Sequence, residues 1–85
     1  MLKITYSKAA VRSLRRLQPA TMKRIVAKMA QVAANPREAG VEVRPLTGHG
    51  QWRLRVGDWR VLFTIDDAAE TLHVVEVLPR GRAYR

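Results

Sequence analysis

Three arginines of the segment 51–63 form the pattern in this sequence that best indicates a binding site for an anion. The segment is QWRLRVGDWRVLF, in which apolar and polar residues alternate on both sides of a central Gly-Asp pair. Alternation around a two-residue loop that contains glycine predicts a β-hairpin. In this register Arg55 lies opposite Arg60, and Arg53 shares their face, because alternate residues of a strand point to the same side. Guanidinium groups bind phosphates through paired hydrogen bonds, so the pattern predicts a polyanion site.

Stability alone does not explain the charge of this face. Like charges directly opposite each other destabilise a sheet, where a favourable pair would contribute only about 0.2–1 kcal/mol. The other face of the hairpin is wholly apolar and is expected to lie toward the core. We interpret the arginine face as a nucleic-acid surface, and the alternative is the ordinary solvated face of a basic protein. The apolar face consists of Trp52, Leu54, Val56, Trp59, Val61 and Phe63.

Net charge and arginine content both indicate an anionic partner. The 85 residues carry a net charge of +9, and the sequence pI is near 11.4. No lysine follows Lys28, so arginine supplies all the positive charge of the second half. A charge this large on a small domain indicates a nucleic acid, an acidic protein partner, or both.

Several classes of site are not expected. The chain contains no cysteine, which excludes disulfides and thiolate metal sites. His49 and His73 have no acidic or cysteine companions at ligand spacing, so we expect no metal and no cofactor. Neither a Gly-rich phosphate loop nor a Ser/His/Asp signature is present. No apolar run approaches the roughly 20 residues of a membrane span, so we expect a cytoplasmic protein without membrane contact.

The remaining periodicity predicts a single α+β domain over residues 1–85. Ser7 is a suitable N-cap for the first helix, and Pro19 suits the first turn of the second. We expect the order β-α-α-β-β-β, with two antiparallel helices packed on one face of a mostly antiparallel twisted sheet. The expected elements are a strand at 2–6, helices at 8–17 and 20–34, a second strand that begins at 43–46, the two hairpin strands, and a last strand at 72–78.

The residues resemble a known family. The element order, the segment PLTGHGQWRLRVGDWRVLF and the final EVLPRGRAY are similar to the RelE/ParE superfamily of bacterial toxins. The most specific part is the segment 52–61, which matches the pattern aromatic-Arg-x-Arg-x-Gly-Asp-aromatic-Arg-Val. The tail resembles a His-Arg-x-x-x-Tyr ending in which Pro79 replaces the histidine. The resemblance covers nearly the whole chain and implies a RelE-like fold.

The resemblance also implies a function. It suggests the toxin of a type II toxin–antitoxin pair, held inactive by a cognate antitoxin. RelE-like members cleave mRNA in the ribosomal A site, whereas ParE-like members inhibit DNA gyrase. The presence of both Arg80 and Tyr84 favours the ribosome-dependent endoribonuclease. The alternatives are a ParE-like gyrase inhibitor and a basic module that acts only with its antitoxin on promoter DNA.

Residue roles follow from the same resemblance. Arg60 and Arg80 match phosphate-binding arginines, which would stabilise the charge that a 2′-hydroxyl attack builds on phosphorus without needing a metal. Tyr84 matches a C-terminal aromatic residue that could accept the 2′-hydroxyl proton or stack on a base.

The remaining arginines of the cluster are assigned to binding. Arg53 and Arg55 occupy positions often held by lysine in RelE-like nucleases, and with Arg82 they would hold RNA. Arginine does not deprotonate in proteins, so neither Arg53 nor Arg55 can be a general base. We expect Arg53, Arg55 and Arg60 on the concave, helix-free face of the sheet.

Overall fold

The chain folds as two helices beside a five-stranded sheet in a computed structural model, which describes residues 2–35, 43–46 and 51–79. The predicted α+β class is confirmed. All the expected elements are present, and the segment 43–46 is a strand of its own, so the sheet has one strand more than the short form β-α-α-β-β-β counts. The elements are β1 (Lys3–Tyr6), α1 (Lys8–Arg15), α2 (Pro19–Ala34), β2 (Val43–Leu46), β3 (Gln51–Val56), β4 (Trp59–Asp66) and β5 (Thr71–Pro79).

The sheet is mostly antiparallel, as expected. Its strand order is β1-β5-β4-β3-β2, so β1 and β2 are the two edges. The chain runs antiparallel from β2 through β5, and only β1 pairs in parallel, with β5. The parallel pair is possible because the helical segment between β1 and β2 carries the chain across the sheet.

The hairpin of β3 and β4 has the predicted register. Gly57 adopts a φ of +58°, the left-handed conformation that the first turn position requires and that glycine tolerates. Arg55 pairs with Arg60, and Trp52 pairs with Phe63 at the far end of the ladder. The helices cover the apolar face of this hairpin, and the residues of the other parity lie on the helix-free face.

One apolar cluster joins the helices to the sheet. Leu14 of α1 and Met29 of α2 pack with Leu54, Val61 and Phe63 of the hairpin. Burial of each such side chain contributes roughly 1.5–3 kcal/mol. The cluster consists of Ala10, Leu14, Ile25, Met29, Val32, Ala33, Leu54, Val56, Val61, Phe63, Leu72, Val74 and Val77.

Ser7 connects α1 to the sheet. Its Oγ accepts a hydrogen bond from the backbone N–H of Ala10 at 3.0 Å, which caps the helix as predicted, and donates to the carbonyl of Val75. Val75 is the extra residue of a bulge, because Val74 pairs with Phe63 while the next pair is shifted. The bulge therefore lies where the chain leaves β1 and enters α1.

Both helices differ slightly from their predicted bounds. α1 ends two residues before Leu17, since the N–H groups of Arg16 and Leu17 bond to Ser13 and Leu14, three residues back. These hydrogen bonds to residues three positions back tighten the last turn of α1, and the chain then enters α2. α2 begins at Pro19, whose missing N–H costs nothing at a helix start.

Removal of the Ser7 hydroxyl tests this connection. Ser7→Ala should lower the free energy of unfolding by about 1–2 kcal/mol, because the helix loses its cap and the Val75 carbonyl loses a donor. Urea denaturation of both proteins measures the change. Thr21→Ala, a substitution within α2, is the control and should change stability by no more than about 0.5 kcal/mol. An unchanged midpoint for Ser7→Ala would contradict the role assigned to this serine.

Tyr6 provides a test that depends on pH. Its hydroxyl is buried and, in the described part of the chain, has no hydrogen-bond partner. Burial raises the pKa of Tyr6 above the ordinary value of 10.0. The folded state therefore favours the neutral phenol, and stability is lost as the pH rises from the unfolded pKa of about 10 through the raised pKa of the folded state.

Tyr6→Phe should match or slightly exceed the wild-type stability at neutral pH, because an unpartnered hydroxyl gains nothing from burial. Its advantage should grow above about pH 10, where ionisation of Tyr6 favours the unfolded state of the wild type only. Urea denaturation at pH 7 and in the alkaline range measures both effects. A large loss of stability at pH 7 would show that the hydroxyl does have a partner.

Candidate functional site

The arginines of the hairpin lie on the helix-free face, but they differ in accessibility. Arg55 is exposed and Arg53 is partly buried. Arg60, directly opposite Arg55, is only 2% exposed. The predicted cluster is therefore present by register, while the expected open surface extends only to Arg53 and Arg55.

Arg60 is held by its surroundings. Its Nη1 donates a hydrogen bond to the carbonyl of Trp59 at 3.2 Å. Among residues 2–35 and 51–79, it is also the one charged side chain that is buried. A phosphate cannot contact Arg60 in this conformation, so a catalytic role would require the side chain to become accessible. The role itself stays a prediction.

Arg44 is a further arginine that the sequence pattern did not assign to the site. It holds the register position opposite Arg53 in the pairing of β2 with β3. Arg44, Arg53, Arg55 and Arg60 thus occupy neighbouring positions across three strands. The partner of this short strand, Val43–Leu46, could not be derived from the sequence.

The two tryptophans of the hairpin support the site from the other side of the sheet. Trp52 and Trp59 are partly buried and pack against the apolar cluster. Their position agrees with the predicted core face. Trp59 also pairs with both Val56 and Pro79, which links the hairpin to the end of β5.

A second basic surface lies beside α1. A pocket of about 460 Å³ is lined by Tyr6, Val11 and four basic side chains. The helix itself contains no acidic residue. This surface would attract an acidic segment of another protein. The four basic residues are Lys8, Arg12, Arg15 and Arg16.

Three of the predicted site residues lie outside the described part of the chain. They are Arg80, Arg82 and Tyr84, and their assigned roles stay predictions. His49 and the turn 47–50 are also outside it. Among the residues that the structure does describe, no group of three or more potential metal ligands occurs. None of the helices in these ranges has the length and apolar character that a membrane span requires.

A match to a protein-family model shows which family this chain belongs to. The model is described as the ParE toxin of the type II toxin–antitoxin system parDE, and it matches residues 4–84. The chain belongs to this family. The resemblance to the RelE/ParE superfamily is therefore confirmed, and the protein is the toxin of a type II toxin–antitoxin system. No curated protein sequence matches the toxin.

Solved structures agree with the fold of the toxin. The RelE–RelB complex from Pyrococcus horikoshii OT3 is similar with a TM-score of 0.77 and 24% identity, covering 95% of this chain and 97% of that one. The complex RelBE2 from Mycobacterium tuberculosis is similar with a TM-score of 0.79 and 24% identity, covering 93% and 98%. The YoeB/ParE toxin from Agrobacterium tumefaciens has a TM-score of 0.77 and 15% identity, covering 92% and 98%.

The burial difference between Arg55 and Arg60 can be tested by stability. Arg60→Ala should lower the free energy of unfolding by about 2–4 kcal/mol, because a large buried side chain and its hydrogen bond are removed. Arg55→Ala should cost less than about 0.5 kcal/mol, since an exposed charge opposite another cation is removed. Urea denaturation measures both. Equal effects of the two substitutions would contradict the burial of Arg60.

Proposed function

We propose that this toxin is a ribosome-dependent endoribonuclease that cleaves mRNA in the A site and so inhibits translation. The observation that carries the proposal is the arrangement of arginines on the helix-free face. Arg44, Arg53, Arg55 and Arg60 occupy adjacent register positions across β2, β3 and β4. The accessible members of this stripe, Arg53 and Arg55, suit the phosphates of one extended nucleic-acid strand.

The spacing of the accessible arginines supports RNA binding. Arg53 and Arg55 are two residues apart on β3, which corresponds to roughly 6.5–7 Å along the strand. Successive phosphates of an extended single strand have a similar spacing. Each guanidinium could hold one phosphate and so align the RNA with the direction of the hairpin.

The proposed chemistry is an internal phosphoryl transfer. The 2′-hydroxyl oxygen attacks the adjacent phosphorus, the P–O5′ bond breaks, and the products carry a 2′,3′-cyclic phosphate and a 5′-hydroxyl. Tyr84, as its phenolate, takes the proton of the 2′-hydroxyl, and the departing O5′ takes a proton from a water molecule. Arg60 and Arg80 stabilise the negative charge that develops on the phosphoryl oxygens. The proposal requires Arg60 to become accessible when RNA binds.

Inhibition of DNA gyrase without nuclease activity is the second candidate. The burial of Arg60 favours it, because a buried guanidinium cannot act on a phosphate in this conformation. The matching family model is also named for ParE toxins. In this case the exposed arginines bind the target protein or its DNA, and Arg60 serves stability only.

A cognate antitoxin is the proposed regulatory partner. The P. horikoshii and M. tuberculosis neighbours are toxin–antitoxin complexes. The basic pocket beside α1 and the arginine face both suit an acidic antitoxin, whose association should slow as salt rises. The complex of toxin and antitoxin would bind promoter DNA through the antitoxin. A cytoplasmic location follows from this proposal, because mRNA on ribosomes and promoter DNA both lie in the bacterial cytoplasm.

Primer extension on translating ribosomes tests the proposal. We expect new 5′ ends within A-site codons when the toxin is added, with gyrase activity unchanged. The same ribosomes without toxin are the control and should show no new ends. Gyrase-linked DNA breaks together with intact mRNA would overturn the nuclease assignment and support the second candidate.

Variants of the hairpin sharpen this test. Arg53→Ala and Arg55→Ala should weaken RNA binding and lower its salt dependence by about 0.7 log units per log salt for each phosphate that the protein no longer neutralises. Fluorescence anisotropy with a labelled single-stranded RNA measures both quantities. Lys23→Ala, at an exposed position of α2, removes the same charge elsewhere and is the control. An equal change in the control would show that the effect comes from the net charge of the protein and not from the position of these arginines.

A further inference from the structure

Thr5, His73 and Thr64 form a polar row across three strands of the sheet. Thr5 of β1 pairs with His73 of β5, and His73 pairs with Thr64 of β4. Their neighbours in sequence, among them Leu72 and Val74, belong to the apolar cluster on the opposite side. The row therefore lies on the helix-free face, which it shares with the arginines.

The imidazole of His73 is oriented by Thr5. The Thr5 Oγ1 and the His73 Nδ1 are 2.7 Å apart, a short hydrogen bond at the surface. Thr5 is exposed, and His73 and Thr64 are partly exposed. With Nδ1 engaged, Nε2 is the ring nitrogen available to a ligand, either as donor or as acceptor according to the tautomer.

The row adjoins the arginine positions. Leu62 is the register partner of Arg53, and Thr64 follows two residues later on the same strand and face. Thr64 is therefore about 7 Å along the strand from the Arg53 row, and His73 is one strand further, about 4.8 Å. If Arg53 holds a phosphate, the base of the adjacent nucleotide would be long enough to reach Thr64 and His73.

We propose that the row formed by Thr5, His73 and Thr64 binds the base of a single-stranded RNA and selects its identity. The proposal rests on the proposed nuclease function. Hydroxyl groups and an oriented imidazole match the donors and acceptors of a base edge, whereas the adjacent arginines match phosphates. His73 and Thr64 contact the base, and Thr5 is a positioning residue that holds the ring of His73.

The test uses four labelled RNA strands that differ only in one central base. Fluorescence anisotropy gives the affinity of the toxin for each strand. The wild type should prefer one base, and His73→Ala should reduce that preference on the order of tenfold. Thr5→Val keeps the shape of the side chain but removes the hydrogen bond to Nδ1, so it should lose part of the preference. Gln31→Ala, at an exposed position of α2, is the control and should keep it.

Each outcome has a defined meaning. Circular dichroism first establishes that every variant is folded. A folded His73→Ala variant with the wild-type preference would overturn the inference, and so would a wild type that binds all four strands equally. If Arg53→Ala also leaves RNA binding unchanged, the proposed function fails as well. If Arg53→Ala weakens binding while His73→Ala keeps the preference, only the base-binding row is wrong.

Discussion

The register of the hairpin is the constraint on which the site depends. Gly57 permits a two-residue turn, and the turn determines which residues of β3 and β4 face each other. A slip of one residue would move Leu54 and Val61 from the core to the surface and bring the arginines under the helices. The burial of the apolar face therefore stabilises the basic face indirectly. The charged surface exists because the opposite side of the same two strands is part of the core.

The pair formed by Arg55 and Arg60 shows how the fold accommodates like charges. Two cations directly across a ladder repel each other, yet one is exposed and the other is buried and bonded to the Trp59 carbonyl. Water screens the exposed charge, and the backbone carbonyl partly compensates the buried one. A binding partner that supplies negative charge would remove the repulsion and stabilise the whole face.

Local patterns predicted the elements that depend on sequence neighbours. The alternation around Gly57 was sufficient for the hairpin register, and Ser7 and Pro19 marked the helix starts where the structure has them. The burial of Arg60 could not be predicted, because it depends on tertiary packing rather than on strand parity. The position of Arg44 opposite Arg53 likewise depends on which strand a four-residue segment joins. Such pairings between distant segments leave little trace in local periodicity.

Membership of the family does not determine which reaction the toxin performs, so its chemistry must be argued from its own residues. A nuclease of this type must remove a proton from the 2′-hydroxyl, and the hairpin arginines cannot do so. Arginine can only bind phosphate or stabilise developing charge, so proton transfer must come from a group outside the hairpin. The helix-free face does contain a titratable side chain in His73, which Thr5 orients about two strands away from Arg53. Its distance from the arginines suits contact with a neighbouring base better than attack at the phosphate they hold. On the proposed function, phosphate binding by the arginines and base selection by Thr5, His73 and Thr64 would then be separate tasks on one sheet face, and proton transfer would belong to a residue outside both groups.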